Sequence, residues 1–139
     1  MARIGLDAAP SAPAPFTTRE TAALVLVGLT LWLVAALLLH WLVPLGAFEG
    51  TRALLAYALV IPGTVPFVAA VRAGVERDRL PLAVSIVTAS ALLVDGVVVR
   101  WFPGVYGSTA ADVATAAAAI LWGAGVGLVL GFVLGRPVR

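Results

Sequence analysis

The chain is 139 residues long, 62% of them hydrophobic and 12% charged, with a net charge of +2 built from nine arginines, no lysine and seven acids. Soluble domains carry about 25% charged residues, so a mean hydropathy of +1.08 excludes an ordinary water-soluble domain, and the length leaves room for one compact unit. Cysteine is absent and His40 is the single histidine, which removes disulfides, thiolate chemistry and cysteine metal sites.

Residues 1–17 are expected to form a flexible tail, because Asp7 to Phe16 are mostly alanine and proline and cannot bury enough apolar surface to order. Thr17 and Glu20 have the spacing of a capping box, in which each side chain satisfies a free backbone amide. This places the first helix start near Thr18. The apolar run from about 21 to 43 is long enough to cross about 30 Å of hydrocarbon, and it stops at Pro44. It begins late, is too long for a signal-peptide core and has no small-residue cleavage site directly after it, so cleavage is not expected.

A second span covers about 53–71, and Pro62 and Pro66, beside Gly63 and Thr64, predict a kink near its middle. Arg72 to Arg79 mix signs and read as a solvated turn. The third span covers about 81–99, and the fourth about 110–134, after a connection holding Pro103, Gly104 and Gly107. In hydrocarbon every backbone amide needs an internal partner, so such runs are helices. Short connections make neighbours antiparallel. The expected fold is an all-α integral membrane protein, an antiparallel bundle of four transmembrane helices forming one domain over 18–139, with the lipid bilayer as its first partner.

Arginine in short loops sets orientation. Arg3, Arg19, Arg72, Arg77, Arg79, Arg136 and Arg139 fall on the side of the termini, and only Arg52 and Arg100 on the other. Both termini are therefore expected in the cytoplasm. Trp41, Phe48, Trp101, Phe102 and Tyr106 gather at the opposite boundary, where aromatic rings anchor at headgroup level.

Two features stand out within the spans. Gly123, Gly127, Gly131 and Gly135 recur every fourth residue, extended upstream by Ala111, Thr115 and Ala119, and leave one face of the fourth helix nearly bare. Such a face lets another helix approach closely. The partner is either another helix of the bundle or, through a homo-oligomer or larger membrane complex, a second protein surface.

The other feature is Asp95, about four residues inside the end of the third span, where an unpaired carboxylate costs on the order of 2–3 kcal/mol. Ser85 and Thr88 share its face. His40, Arg52, Arg100, Tyr106 and Asp112 are brought to the same level, and Arg52 is the preferred ion partner. Asp95 is either a structural tie between helices or, with Arg52, His40, Ser85 and Thr88, a proton or cation site.

No phosphate-binding loop, no paired carboxylates on one face and no serine with a positioned base occur, so neither catalysis nor a cofactor is expected. The arginines sit between apolar runs rather than clustered with aromatics on a soluble face, so nucleic acid is not an expected partner.

Three stretches, LWLVAALLLH (Leu31–His40), LLVDGVVVRWFPGVYG (Leu92–Gly107) and LWGAGVGLVLG (Leu121–Gly131), together resemble a family of small bacterial membrane proteins catalogued as domain of unknown function 5367. The middle stretch, an aspartate late in the third helix followed by an aromatic-Phe-Pro turn, is the most specific. The sequence departs from that pattern at Gly107, where a Pro-Asn type ending is usual, and in its alanine-proline tail. The resemblance implies a four-helix fold in a bacterial plasma membrane and transfers no activity. A non-enzymatic helix-packing or membrane-complex subunit is the leading expectation. A proton- or cation-coupled transporter or channel subunit using Asp95 is the alternative.

Overall fold

The computed structural model describes residues 15–136; most of the tail, with Arg3, and the C-terminal Arg139 lie outside them. Four helices follow one another: α1 (Thr18–Leu42), α2 (Gly50–Ala73), α3 (Leu80–Trp101) and α4 (Ala110–Gly135), with short 3-10 turns at Arg77–Arg79 and Pro103–Val105. There is no strand among the described residues. All four helices are long and apolar enough to cross a membrane. At 1.5 Å per residue each runs about 33–39 Å.

The ends are set by local chemistry. The Thr17 side chain accepts from the Glu20 amide and the Glu20 carboxylate accepts from the Thr17 amide, so the box expected at α1 is formed. A second box stands at α4, where Thr109 and Asp112 exchange the same pair of bonds. Asp112 is thus spent on backbone amides. Gly107 is what lets it do so, since a Cβ there would overlap the Asp112 Cβ and lie 2.9 Å from its Cγ. Gly46 and Gly50 turn the first connection with φ of +67° and +51°, values that side-chain-bearing residues rarely adopt. α2 continues as one helix through Pro62 and Pro66, and the Thr64 hydroxyl between them bonds the Val60 carbonyl of the same helix at 2.7 Å.

The helices stand at the corners of a square in the order α1, α3, α4, α2. α1 packs on α3, α3 on α4 and α4 on α2, while α1 and α2, though consecutive in sequence, hardly touch. One core cluster lies at the end that holds the start of α1 and the α2–α3 turn, around Leu24, Val68, Val71, Leu80 and Val84. The other lies at the far end, around Ala36, Leu39, Val43, Val98, Tyr106 and Ala116. Outside both, large apolar side chains such as Leu26, Leu54, Leu93 and Leu121 are more than 60% exposed. Water does not tolerate an apolar surface of that extent on a monomer.

The close approaches are made by small residues, as the glycine repeat suggests, but the repeat is divided between two neighbours. A Cβ at Gly131 would stand 2.9 Å from the Val84 Cβ, and one at Gly135 2.7 Å from the Pro81 ring, so these two press on α3. Gly123 and Gly127 face Val60 and Thr64 of α2 at 3.7 Å, an ordinary contact. The face is filled within the chain. The α1–α3 crossing turns on Gly28, where a Cβ would meet the Val87 carbonyl at 2.6 Å and the Ser90 Cβ at 3.0 Å.

Substitutions along α4 should therefore sort by neighbour. Gly131→Leu is expected to destabilise by about 1–3 kcal/mol through overpacking, whereas Gly125→Ala, which meets nothing within 4 Å, should leave stability equal or raise it by up to about 1 kcal/mol. Thermal unfolding in detergent, followed by helical circular dichroism, checks both.

Candidate functional site

Asp95 lies six residues before the end of α3, about 9 Å along the axis, and is only 9% exposed. Two neutral donors meet it there. The Trp32 indole of α1 donates from Nε1 to Oδ1 at 3.0 Å, and the Tyr106 phenol donates to the same oxygen. Trp32 Nε1 is also 3.2 Å from the phenol oxygen, closing a triangle among α1, α3 and the α3–α4 connection. Burial and the carboxylate beside it hold the Tyr106 phenol in its protonated form, well above the usual range.

This differs from the ion pair expected with Arg52. The Arg52 guanidinium lies instead at the α1–α2 connection, 3.9 Å from where a Gly46 Cβ would stand, and the Glu49 carboxylate is at the same place. Among the described residues the salt bridge is Glu20 to Arg79, 3.3 Å long, at the opposite end. The physical reason is desolvation: dipolar donors satisfy a carboxylate without taking a second full charge out of water. Tyr106 is accordingly a buried partner with 0% exposure, not a boundary anchor, whereas Trp41, Trp101 and Phe102 remain exposed as anchors do.

The remaining candidates disperse. His40 is exposed and donates from Nδ1 to the Val105 carbonyl at 2.8 Å, tying α1 to the turn that carries Tyr106. The Ser85 hydroxyl bonds the Pro81 carbonyl of its own helix at 2.8 Å. Arg100 is exposed. Thr88 alone joins Asp95 on a shared surface, so the polar stripe does not form a continuous path to His40.

That shared surface is a cleft of about 640 Å³ along the open edge of the square. Its walls are Leu38, Leu42 and Trp32 of α1 and Leu55, Leu59, Gly63 and Phe67 of α2; its floor is Thr88, Ala91 and Asp95 of α3 with Gly123 and Gly127 of α4. Arg52 and Phe48 stand at its far mouth. The rim leucines are open to the surroundings, Leu55 and Leu59 by more than 65%. Phe48, Tyr57 and Trp122 stack edge to face at 5.8 and 5.9 Å, and Trp122 Nε1 bonds the Tyr57 carbonyl at 3.0 Å, which holds α2 to α4 while its other side stays unpacked.

Neither composition nor spacing marks Trp32 as a partner of Asp95. It sits on the α1 seam Leu24, Gly28, Trp32, Ala36, and a buried indole N–H needs an acceptor. Asp95 is the one buried charged side chain among the described residues.

No group of three or more metal-binding side chains occurs among the described residues. What the fold and site define is a four-helix bundle of membrane-crossing dimensions with one internal carboxylate at the edge of a side cleft. No family model, no curated protein and no solved structure matches the chain.

Removal of one donor tests the triangle. Tyr106→Phe should destabilise the protein by about 1–3 kcal/mol, the effect of leaving a buried acceptor under-satisfied. Trp32→Phe should cost more in the Tyr106→Phe background than alone, because both residues serve one oxygen and the double variant leaves it with no donor. Unfolding in mixed micelles measures both, and strictly additive effects would count against the triangle.

Proposed function

We propose that the chain is a multi-pass protein of a bacterial plasma membrane, both termini cytoplasmic, that catalyses no reaction and receives a hydrophobic molecule from the bilayer through the gap between α1 and α2. The observation that carries this reading is the cleft itself. Three edges of the helix square are packed and the fourth is open, with a buried carboxylate on its floor. A volume of about 640 Å³ lies within the range of small-molecule sites, about 300–1,000 Å³.

Membrane insertion is supported by the four apolar helices and by the leucine-covered exterior. Orientation is supported by Arg19, Arg72, Arg77, Arg79 and Arg136 at the terminal end against Arg52 and Arg100 at the other. The likeness to the family catalogued as domain of unknown function 5367 belongs to this proposal as well. Association with a second copy or a larger complex would use a face of α4 other than the glycine face, which α2 and α3 already occupy. A reporter fused to the C-terminus should be active only in the cytoplasm.

Lateral access is tested with Trp32 as the sole tryptophan, the other three replaced by phenylalanine. Lipids brominated along their acyl chains should quench its emission, and Gly63→Leu should reduce that quenching at least about twofold. Gly63 lines the cleft and has no neighbour within 4 Å of its Cβ position, so leucine fills the space without a clash. Equal shielding of Trp32 in both forms would mean that the gap is closed in lipid and would overturn the reading.

A further inference from the structure

Within a bilayer an apolar guest gains little by leaving lipid tails for an apolar cleft, because the tails are as apolar as the leucines that line it. Selectivity must then come from the polar groups on the floor, Thr88 and Asp95, of which Asp95 alone is ionisable. At Asp95 both donors fall on Oδ1, from the Trp32 indole and the Tyr106 phenol, which leaves Oδ2 as the oxygen open to a guest. Asp95 and Trp32 both line the cleft, and Phe48 and Phe67 add aromatic rings around it.

From this geometry we infer that the cleft takes a lipophilic organic cation, whose charge pairs with the Asp95 carboxylate while the Trp32 ring and the apolar walls hold its hydrocarbon groups. The inference rests on the lateral-cleft reading and adds the charge of the guest. A cation with bulky apolar substituents dissolves in the bilayer yet remains poorly solvated there, so a fixed carboxylate in low dielectric attracts it more strongly than in water. Aromatic faces add a further attraction to such cations.

The one other charged side chain lining the cleft is Arg52. It does not occupy the Asp95 site, since its guanidinium approaches Gly46 at the α1–α2 connection and makes no ion pair with Asp95. An anionic amphiphile would be repelled by the Asp95 carboxylate, and a neutral one would gain at most a hydrogen bond at Oδ2, without the charge pairing that a cation gains.

The test is equilibrium dialysis of the full chain in detergent micelles against labelled tetraphenylphosphonium and against tetraphenylborate, an anion of the same shape. The phosphonium should bind at least about tenfold more tightly than the borate, and Asp95→Asn should lose at least about tenfold of that affinity. Gly63→Leu, which leaves Asp95 intact, should lose phosphonium binding as well. Equal binding of both ions, with Asp95→Asn unchanged and Gly63→Leu impaired, would overturn the cationic assignment and leave the cleft reading standing. Binding of neither ion above the level of Gly63→Leu would overturn both. Should Asp95→Asn fail to fold, the comparison of phosphonium with borate on the unaltered chain still decides the sign of the guest.

Discussion

A carboxylate on the floor of an apolar bundle has to be satisfied by whatever the fold can bring to it, and much of the far end of this molecule is arranged around that demand. The Trp32 indole and the Tyr106 phenol come from different elements, and their convergence on Asp95 Oδ1 draws the α3–α4 connection back into the bundle. Tyr106 could otherwise sit with Trp101 and Phe102 at the boundary. Instead it is fully covered and becomes the centre of the far core, packed with Ala36, Leu39, Val43 and Ala116. His40 secures the same turn from outside through the Val105 carbonyl. One polar atom therefore accounts for the path of an entire loop.

The opposite constraint governs the terminal end, where packing is decided by what is missing. At Gly28, Gly131 and Gly135 the Val87 backbone, the Val84 side chain and the Pro81 ring respectively occupy the place where a Cβ would go. Helix association in lipid relies on such contacts, since no hydrophobic drive separates a leucine from an acyl tail. The ion pair between Glu20 and Arg79, with Arg79 stacked 3.9 Å over the Phe16 ring, joins the start of α1 to the α2–α3 turn at that end. α3 is consequently the hub, gripped by α1 through Gly28 and by α4 through Gly131 and Gly135. α2 has weaker contacts of ordinary length and is held largely through the Phe48, Tyr57 and Trp122 rings.

The elements were legible because length and apolarity in a lipid setting admit few alternatives. The expected spans fall within four residues of the observed helices, and the Thr17 box sets the start of α1 as its spacing indicates. The prominence of Asp95 was also legible, and Tyr106 was among its candidate partners. Charge complementarity misdirected the pairing toward Arg52, because a one-dimensional pattern favours opposite signs, whereas a buried acceptor is better served by dipoles that need no dehydrated cation. Asp112 is level with the same polar group in the sequence, yet its place three residues after Thr109 marks it as a helix cap. The glycine repeat announced close contact but not its recipient. The cleft was not legible at all, since it arises from the order in which helices surround one another, which hydropathy does not encode.

The open edge also bears on how the protein is built. α1 and α2 leave the synthesis machinery first, and they have almost no mutual interface on which to settle. In the bilayer setting proposed above each would stand as an independent rod, and neither acquires its main tertiary neighbour until α3 arrives for the one and α4 for the other. Assembly must therefore wait for the second hairpin, and α1 is captured across the bundle by a partner more than fifty residues downstream, as Trp32 and Asp95 are. A chain truncated after α2 would retain two hydrophobic rods and no bundle.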